Sequence, residues 1–151
     1  MKNREIFTGC AFSILLVFTA CGEQGTSQQD NSRQYKALLD RLGEAHKNRD
    51  IDAVMSLFAE DSVFINTDGR RLEDHDEIRA LYSMVWNAVT DFRLNNWRYL
   101  VDGDHAAVQW NLSGTSASGD GERLTVEPCY LITFRDGKIA VMHLYVKPKH
   151  E

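Results

Sequence analysis

The sequence predicts an α+β domain in which helices cover one face of an antiparallel sheet. The first half of the folded region repeats apolar residues at helical spacing, and the second half alternates apolar and polar residues at period two. Two Asp-Gly pairs, Asp102-Gly103 and Asp136-Gly137, sit between alternating segments as hairpin turns. Helices followed by a run of consecutive strands build this fold class, because one sheet face must be buried against the helices.

The elements follow in order. Tyr35, Leu38, Leu39, Leu42 and His46 share one helical face, and Asn48-Arg49-Asp50 breaks that helix. A short second helix carries Ile51, Val54, Leu57 and Phe58. Residues 62–66, Ser-Val-Phe-Ile-Asn, are rich in β-branched and aromatic side chains and predict a strand, closed by a turn at Thr67-Asp68-Gly69. A third helix starts at Asp74, with Glu77 placed as in a capping box, and presents Ile78, Leu81, Tyr82, Val85, Trp86 and Val89. Strands are expected over 92–101, 105–115, 124–135 and 139–147, with a polar Gly-rich loop over 116–122.

The N-terminus carries a different signal. Lys2 and Arg4 precede a mostly apolar run from Ile6 to Ala20, shorter than the roughly 18 residues a membrane-spanning helix needs. A short apolar run behind a basic start reads as an export signal. It ends in Phe18-Thr19-Ala20-Cys21-Gly22, which resembles a lipobox, whose cysteine is acylated and becomes the new N-terminus. The chain therefore divides into a lipoprotein signal peptide at 1–20, a lipidated Cys21 and tether at 21–34, and a folded domain at 35–151. The tether holds no large apolar residue and is rich in Gly, Ser and Gln, so it cannot bury enough surface to offset its ordering entropy. The implied location is the bacterial cell envelope, lipid-anchored, on the periplasmic side of the outer membrane where two membranes exist. An ordinary secretory signal or an uncleaved anchor is the alternative.

Composition excludes other classes. Of 151 residues, 26% are charged and 43% apolar, a globular mix. The net charge is −5, and without Lys2, Arg4 and Glu5 the remainder is more acidic still, so it repels phosphate backbones and nucleic acid is not an expected partner. Of the three cysteines, Cys10 leaves with the signal and Cys21 is acylated, so Cys129 has no partner for a disulfide and reads as a small buried hydrophobe. No metal-ligand cysteine spacing is present and no cofactor motif is found.

The phrases Asn48-Arg-Asp50 with Ala53, Leu57-Phe-Ala-Glu-Asp61, Leu100-Val-Asp-Gly-Asp104 with Ala107, Gly114-Thr115 and Phe134-Arg-Asp-Gly-Lys-Ile139 occur in an order that resembles the nuclear transport factor 2-like superfamily, especially its SnoaL-like and ketosteroid-isomerase-like branches. The resemblance covers the whole domain. It implies a cone, in which a curved antiparallel sheet wraps three N-terminal-side helices and leaves a pocket at the open end, and dimerisation through the outer sheet face. It does not fix an activity, since one fold hosts many functions.

Residue by residue, the isomerase pattern is incomplete. The resemblance places its general base at Asn66, its helix tyrosine at Leu42 and its acid at Tyr130. An amide is no proton acceptor at neutral pH and Leu42 donates nothing, so Tyr130 alone retains a donor. His143 is the other weak catalytic candidate, although the alternation of the last strand sends it to the face opposite Met142 and Leu144, which suits a structural or interface histidine better. The acidic run around His75 can hold a metal or simply favour a helix N-terminus, and the second reading is preferred. His46, near a helix end, and His105, in a turn, read as solvated. Asp61 and Asp68 read as a cap and a turn residue.

Aromatic residues suggest a site instead. Phe64, Tyr82, Trp86, Trp97, Trp110 and Tyr130, with Asn66 and Met142, are the candidate ligand pocket, although many of them also suit a plain core. The expected function is a lipid-anchored envelope protein whose cone binds a small apolar or aromatic molecule without catalysis. The alternative is a SnoaL-like enzyme doing proton transfer, of isomerase, cyclase or dehydratase type. The last strand is apolar on both faces, with Ile139, Val141 and Tyr145 on one and Ala140, Met142, Leu144 and Val146 on the other, which predicts a homodimer through the outer sheet face.

Overall fold

The computed structural model describes residues 24–147, with side chains from residue 31 onward. Cys21 and the apolar N-terminal run lie outside the described residues. Helix α1 spans Gln24–Asn48, α2 Ile51–Met55 and α3 His75–Asn87; the strands are β1 Phe58–Ile65, β2 Arg71–Leu72, β3 Val89–Asp102, β4 His105–Ser116, β5 Arg123–Val126, β6 Pro128–Arg135 and β7 Lys138–Val146. No helix among the described residues is long and apolar enough to cross a membrane.

Helix α1 begins at Gln24, inside the segment expected to be a tether. The residues there bury little, with Asn31, Arg33 and Gln34 exposed, but a helix already held by its packed turns propagates at low cost through residues without proline. The packed turns are those of Tyr35, Leu38, Leu39, Leu42, Ala45 and His46. The helix stops at Arg49, whose φ of 54° leaves the helical region. Asp50 then caps α2 by accepting from the Ala53 N–H. Asp74 caps α3 by accepting from the Asp76 N–H, while Glu77 pairs with Arg70 rather than closing a capping box.

The sheet order is β2-β1-β7-β6-β4-β3, with β5 paired to β4. Five pairings are antiparallel, but β1 runs parallel to β7, so the curved, unclosed sheet is mixed rather than wholly antiparallel. This pairing joins elements far apart in sequence, which local patterning does not report. At the β6–β7 turn Asp136 and Gly137 have φ of 52° and 74°, as a two-residue primed hairpin turn requires.

Two local irregularities shape the sheet. The segment 124–135, expected as one strand, is two: β5 pairs β4 at Leu112–Thr115, and β6 pairs β4 at His105–Gln109. The break is at Glu127-Pro128, where proline lacks a ladder donor. In β7, Val141 pairs Thr133 while Ile139 pairs Phe134, leaving Ala140 as an extra residue. This bulge turns Ile139 inward, so Ile139 and Met142 are both fully buried. Strict alternation had put Ile139 on the face of Val141 and Tyr145.

The concave face of the sheet packs on the helices. Leu39, Leu42, Val54 and Ile78 from the helices meet Val108, Ile132, Ile139 and Met142 from the sheet, all essentially without exposure. Tyr35 stacks on Phe134 with ring centroids 4.1 Å apart, closing the end of the core near the β6–β7 turn.

Candidate ligand-binding site

At the other end of the cone the packing leaves a cavity of about 450 Å³. Helix α3 gives one wall with Leu81, Tyr82, Val85 and Trp86, and the bent strands β4 to β6 give another with Trp110, Leu112, Leu124, Val126, Pro128 and Tyr130. Phe64 and Asn66 follow β1 to the cavity, and Leu144 and Val146 of β7 complete the lining. Both β5 and β6 contribute to this wall, on either side of the break before Pro128. Among the described residues no Asp, Glu, Lys or Arg lines the cavity.

The polar centre is His46, 1% exposed at the end of α1. Its Nδ1 donates to the Leu42 carbonyl at 2.9 Å. A carbonyl only accepts, so the proton of the neutral ring lies on Nδ1, and Nε2 presents a lone pair. The Tyr130 hydroxyl lies 3.4 Å from Nε2, a long contact in which the hydroxyl donates. Rings of Tyr82, Trp86 and Trp110 meet the imidazole edge to face at 5.1, 6.0 and 5.7 Å. Burial lowers the His46 pKa from 6.5 to about 4, against an opposing contribution from the Leu42 hydrogen bond, so the ring is neutral at pH 7. Burial raises the Tyr130 and Tyr82 hydroxyls well above their ordinary range, which keeps both as donors. The Tyr82 hydroxyl donates to Met142 Sδ at 3.5 Å.

Of the residues expected at the pocket, Asn66, Phe64, Tyr82, Trp86, Trp110 and Tyr130 line the cavity. Trp97 and Met142 stand behind its wall. The Trp97 indole stacks at a tilt on Trp110, 6.2 Å away, and covers Gly43, where an added Cβ would meet the ring at 2.9 Å. Met142 is fully buried beneath Tyr82. Asn66 sits just past β1, its side-chain oxygen accepting from the Thr67 N–H. Leu42 is core, one helical turn before His46.

The remaining candidates lie elsewhere. His143 is on the outer sheet face, its Nδ1 2.8 Å from the Tyr145 hydroxyl, and does not face Tyr130. His75 Nε2 contacts the Ala59 carbonyl at 2.8 Å and Ser62 at 3.1 Å. His105 is exposed beside Asp104. Asp61 pairs with Arg135, and Asp68 accepts from the Arg70 N–H. Among the described residues no three His, Cys, Asp or Glu side chains group as a metal site. Cys129 is half-buried, off this cavity.

His46 was expected to be solvated, and is the residue the sequence reading missed. Its place on the apolar stripe of α1, four residues after Leu42, was the available signal. Proximity to the helix end weighed against it, but α3 and β3 close over that end.

A model of the SnoaL-like domain matches residues 39–142, the whole span from α1 to the middle of β7. The chain belongs to the SnoaL-like family. No curated protein matches it. Solved structures share the fold at low identity. A candidate polyketide cyclase from Xanthomonas campestris pv. campestris has TM-score 0.69 and 18% identity, covering 76% of this chain and 91% of its own. An NTF2-like protein of unknown function from Burkholderia pseudomallei has TM-score 0.67 and 19% identity, with the same coverage. A candidate ketosteroid isomerase from Kribbella flavida has TM-score 0.65 and 22% identity, covering 80% of this chain and 83% of its own. The SnoaL-like domain here thus has the NTF2-like architecture of helices followed by a curved, unclosed mixed sheet. Into its cavity this chain puts a neutral His46–Tyr130 pair and an amide at Asn66.

Proposed function

We propose that this SnoaL-like domain binds a small, largely apolar organic molecule in its cone, and that Cys21 anchors it by lipid to the bacterial envelope. The cavity carries the first part: it is of drug-like size and almost wholly apolar, with polar groups at Asn66 and where His46, Tyr82 and Tyr130 meet. The anchor rests on the apolar N-terminal run and the Thr19-Ala20-Cys21 sequence, and metabolic fatty-acid labelling that marks Cys21→Ser as strongly as the native protein would exclude it.

One observation favours a second reading, proton transfer on the bound molecule. His46 stands within reach of Tyr130 inside the cavity, so an acceptor lone pair and a hydroxyl donor adjoin. In this reading His46 takes the role first considered for His143, and Tyr130 steadies a developing enolate. Asn66 takes no part as a base, since an amide holds no useful lone pair for a proton.

One experiment separates the two. A solvatochromic aryl ketone added to the purified protein is expected to shift its emission to the blue at one dye per chain, and Leu112→Trp, which fills the cavity from its wall, is expected to abolish the shift. The same ketone in deuterated buffer then reports exchange beside its carbonyl. Binding without exchange above buffer supports the binder. Exchange that falls at least tenfold in His46→Gln supports the enzyme. Dye binding that Leu112→Trp leaves intact would place the site elsewhere.

A further inference from the structure

We infer that Trp97, which does not line the cavity, is a positioning residue for His46: its indole fills a notch in α1 at Gly43 and walls the imidazole off from a solvent groove outside. This rests on the reading of His46 as the polar centre of the site.

Two local features build the wall. Gly43 precedes His46 by three residues, so both face the same side of α1. Without a side chain there the helix has a notch, and the Trp97 ring enters it: a Cβ on Gly43 would stand 2.9 Å from Cε2 and Nε1 of the indole. The second feature is a bulge in β3. Asn95 pairs with Asn111 and Arg98 with Gln109, so Asn96 and Trp97 together oppose Trp110. Phe92 and Leu94 are half-buried at alternate positions, and regular alternation would bring Asn96 inward next. Asn96 instead takes a φ of 56° and stays exposed, and Trp97 turns in, followed by Tyr99 and Val101. Left-handed backbone is uncommon outside glycine, and asparagine tolerates it best. The indole Nε1 is buried without an acceptor among the described residues, so packing rather than a hydrogen bond holds the ring.

The ring stands between two spaces. Trp97 lines a groove of about 480 Å³, together with Asp40, Glu44 and Lys47 of α1 and Asn95 and Asn96 of β3. The same ring is 5.8 Å from the His46 ring and 6.2 Å from Trp110. His46 does not line the groove. Of the five rings around His46, Tyr82, Trp86, Trp110 and Tyr130 line the cavity, and Trp97 alone lines the groove.

This wall decides what charge His46 carries. From α1, α3, β4 and β6 the imidazole meets the Leu42 carbonyl, Tyr82, Trp86, Trp110 and Tyr130, all uncharged at pH 7, while Arg49 is turned to Phe92 and the Val89 carbonyl. The charged groups Asp40, Glu44 and Lys47 belong to the groove. Without the indole, water reaches the imidazole and two carboxylates outnumber one ammonium, and both changes favour the charged ring. An imidazolium would spoil an apolar cavity and occupy the lone pair that proton transfer needs, so either reading of the site depends on the wall.

NMR titration of the histidines in the ligand-free protein tests this. Native His46 is expected to stay neutral down to about pH 4. In Trp97→Ala its midpoint should rise to about 5.5 or above, toward that of a solvated imidazole. Gly43→Ala keeps every ring and suits a helix, but its methyl must displace the indole, so it should move the midpoint the same way and decides the matter if Trp97→Ala does not fold. Leu94→Ala is the control for general loosening: Leu94 is half-buried in the same groove but makes no part of the wall at Gly43, so the midpoint should stay at its native value. A midpoint that neither Trp97→Ala nor Gly43→Ala moves, or that Leu94→Ala raises as far, would overturn the inference. Because no ligand is present, failure of the aryl ketone dye to bind would overturn the binding reading alone and leave this inference to the titration.

Discussion

At His46 a single ionisable side chain is enclosed by Tyr82, Trp86, Trp97, Trp110 and Tyr130. Its enclosure makes a prediction about stability. The unfolded chain takes up a proton on this ring near pH 6.5, and the folded chain holds it off until about pH 4. Between those values the unfolded state binds more protons, so this contribution to stability is whole above pH 6.5 and is lost as pH falls toward 4. At about 1.4 kcal/mol per pH unit the loss is about 3 kcal/mol. Denaturant melts of the native protein and His46→Gln between pH 7 and pH 4 should show the native protein losing about that much more, the carboxylates being common to both. Parallel pH profiles would mean that the ring titrates as if in water. The site was only partly legible in the sequence for a related reason. Tyr82, Trp86 and Tyr130 could be nominated because large aromatics on apolar faces are buried somewhere. Which of them face a cavity depends on where the walls part, and neither the displacement of Trp97 behind Trp110 nor the enclosure of His46 is written in local spacing.

Secondary-structure elements were more legible than their irregularities. Asp136-Gly137 became a hairpin turn, while the first hairpin turns one residue later than expected, at Gly103-Asp104, because Asp102 pairs with His105; β4 keeps its alternation, burying Ala106, Val108, Trp110 and Leu112 in turn. The bulge at Ala140, the break at Pro128 and the parallel β1–β7 pairing were not read, because each depends on a partner strand rather than on its own residues. A close approach between strands supplies the test at this scale. Gly114 is buried in β4 opposite the start of β3, where a Cβ would stand 2.2 Å from Val89 Cγ1 and 2.7 Å from the Thr90 carbonyl oxygen. The backbone oxygen cannot rotate away, so Gly114→Ala must spread β3 from β4 at a place where Val89 also lines the cavity. The expected cost is about 1–3 kcal/mol, the range for overpacking. It should appear as a lower thermal midpoint together with weaker binding of the aryl ketone dye. An unchanged midpoint would mean that the two strands already stand further apart.

Across the whole molecule the two sheet faces differ in what covers them. The concave face is filled by helices and by the cavity, whereas the outer face carries Leu100 at 78% exposure, Leu131 at 47% and Tyr145 at 46%. Ile65, Ala107, Val141 and His143 lie among them, half-buried, and make one continuous patch with Leu100 and Leu131. Apolar side chains gathered on one sheet face, rather than scattered singly, call for a covering surface. A second copy supplies one, since the same patch on both partners is self-complementary about a two-fold axis. The SnoaL-like protein is therefore expected to sediment as a dimer at micromolar concentration. Leu131→Lys sets a charge in the middle of the patch, on a side chain that points away from the core, so it should yield a folded monomer whose cavity still binds the dye. Its thermal midpoint should become independent of concentration, while that of the native protein rises with concentration, because dimerisation stabilises by mass action. Native protein that sediments as a monomer, with a midpoint already independent of concentration, would show that the outer face meets something other than a second copy.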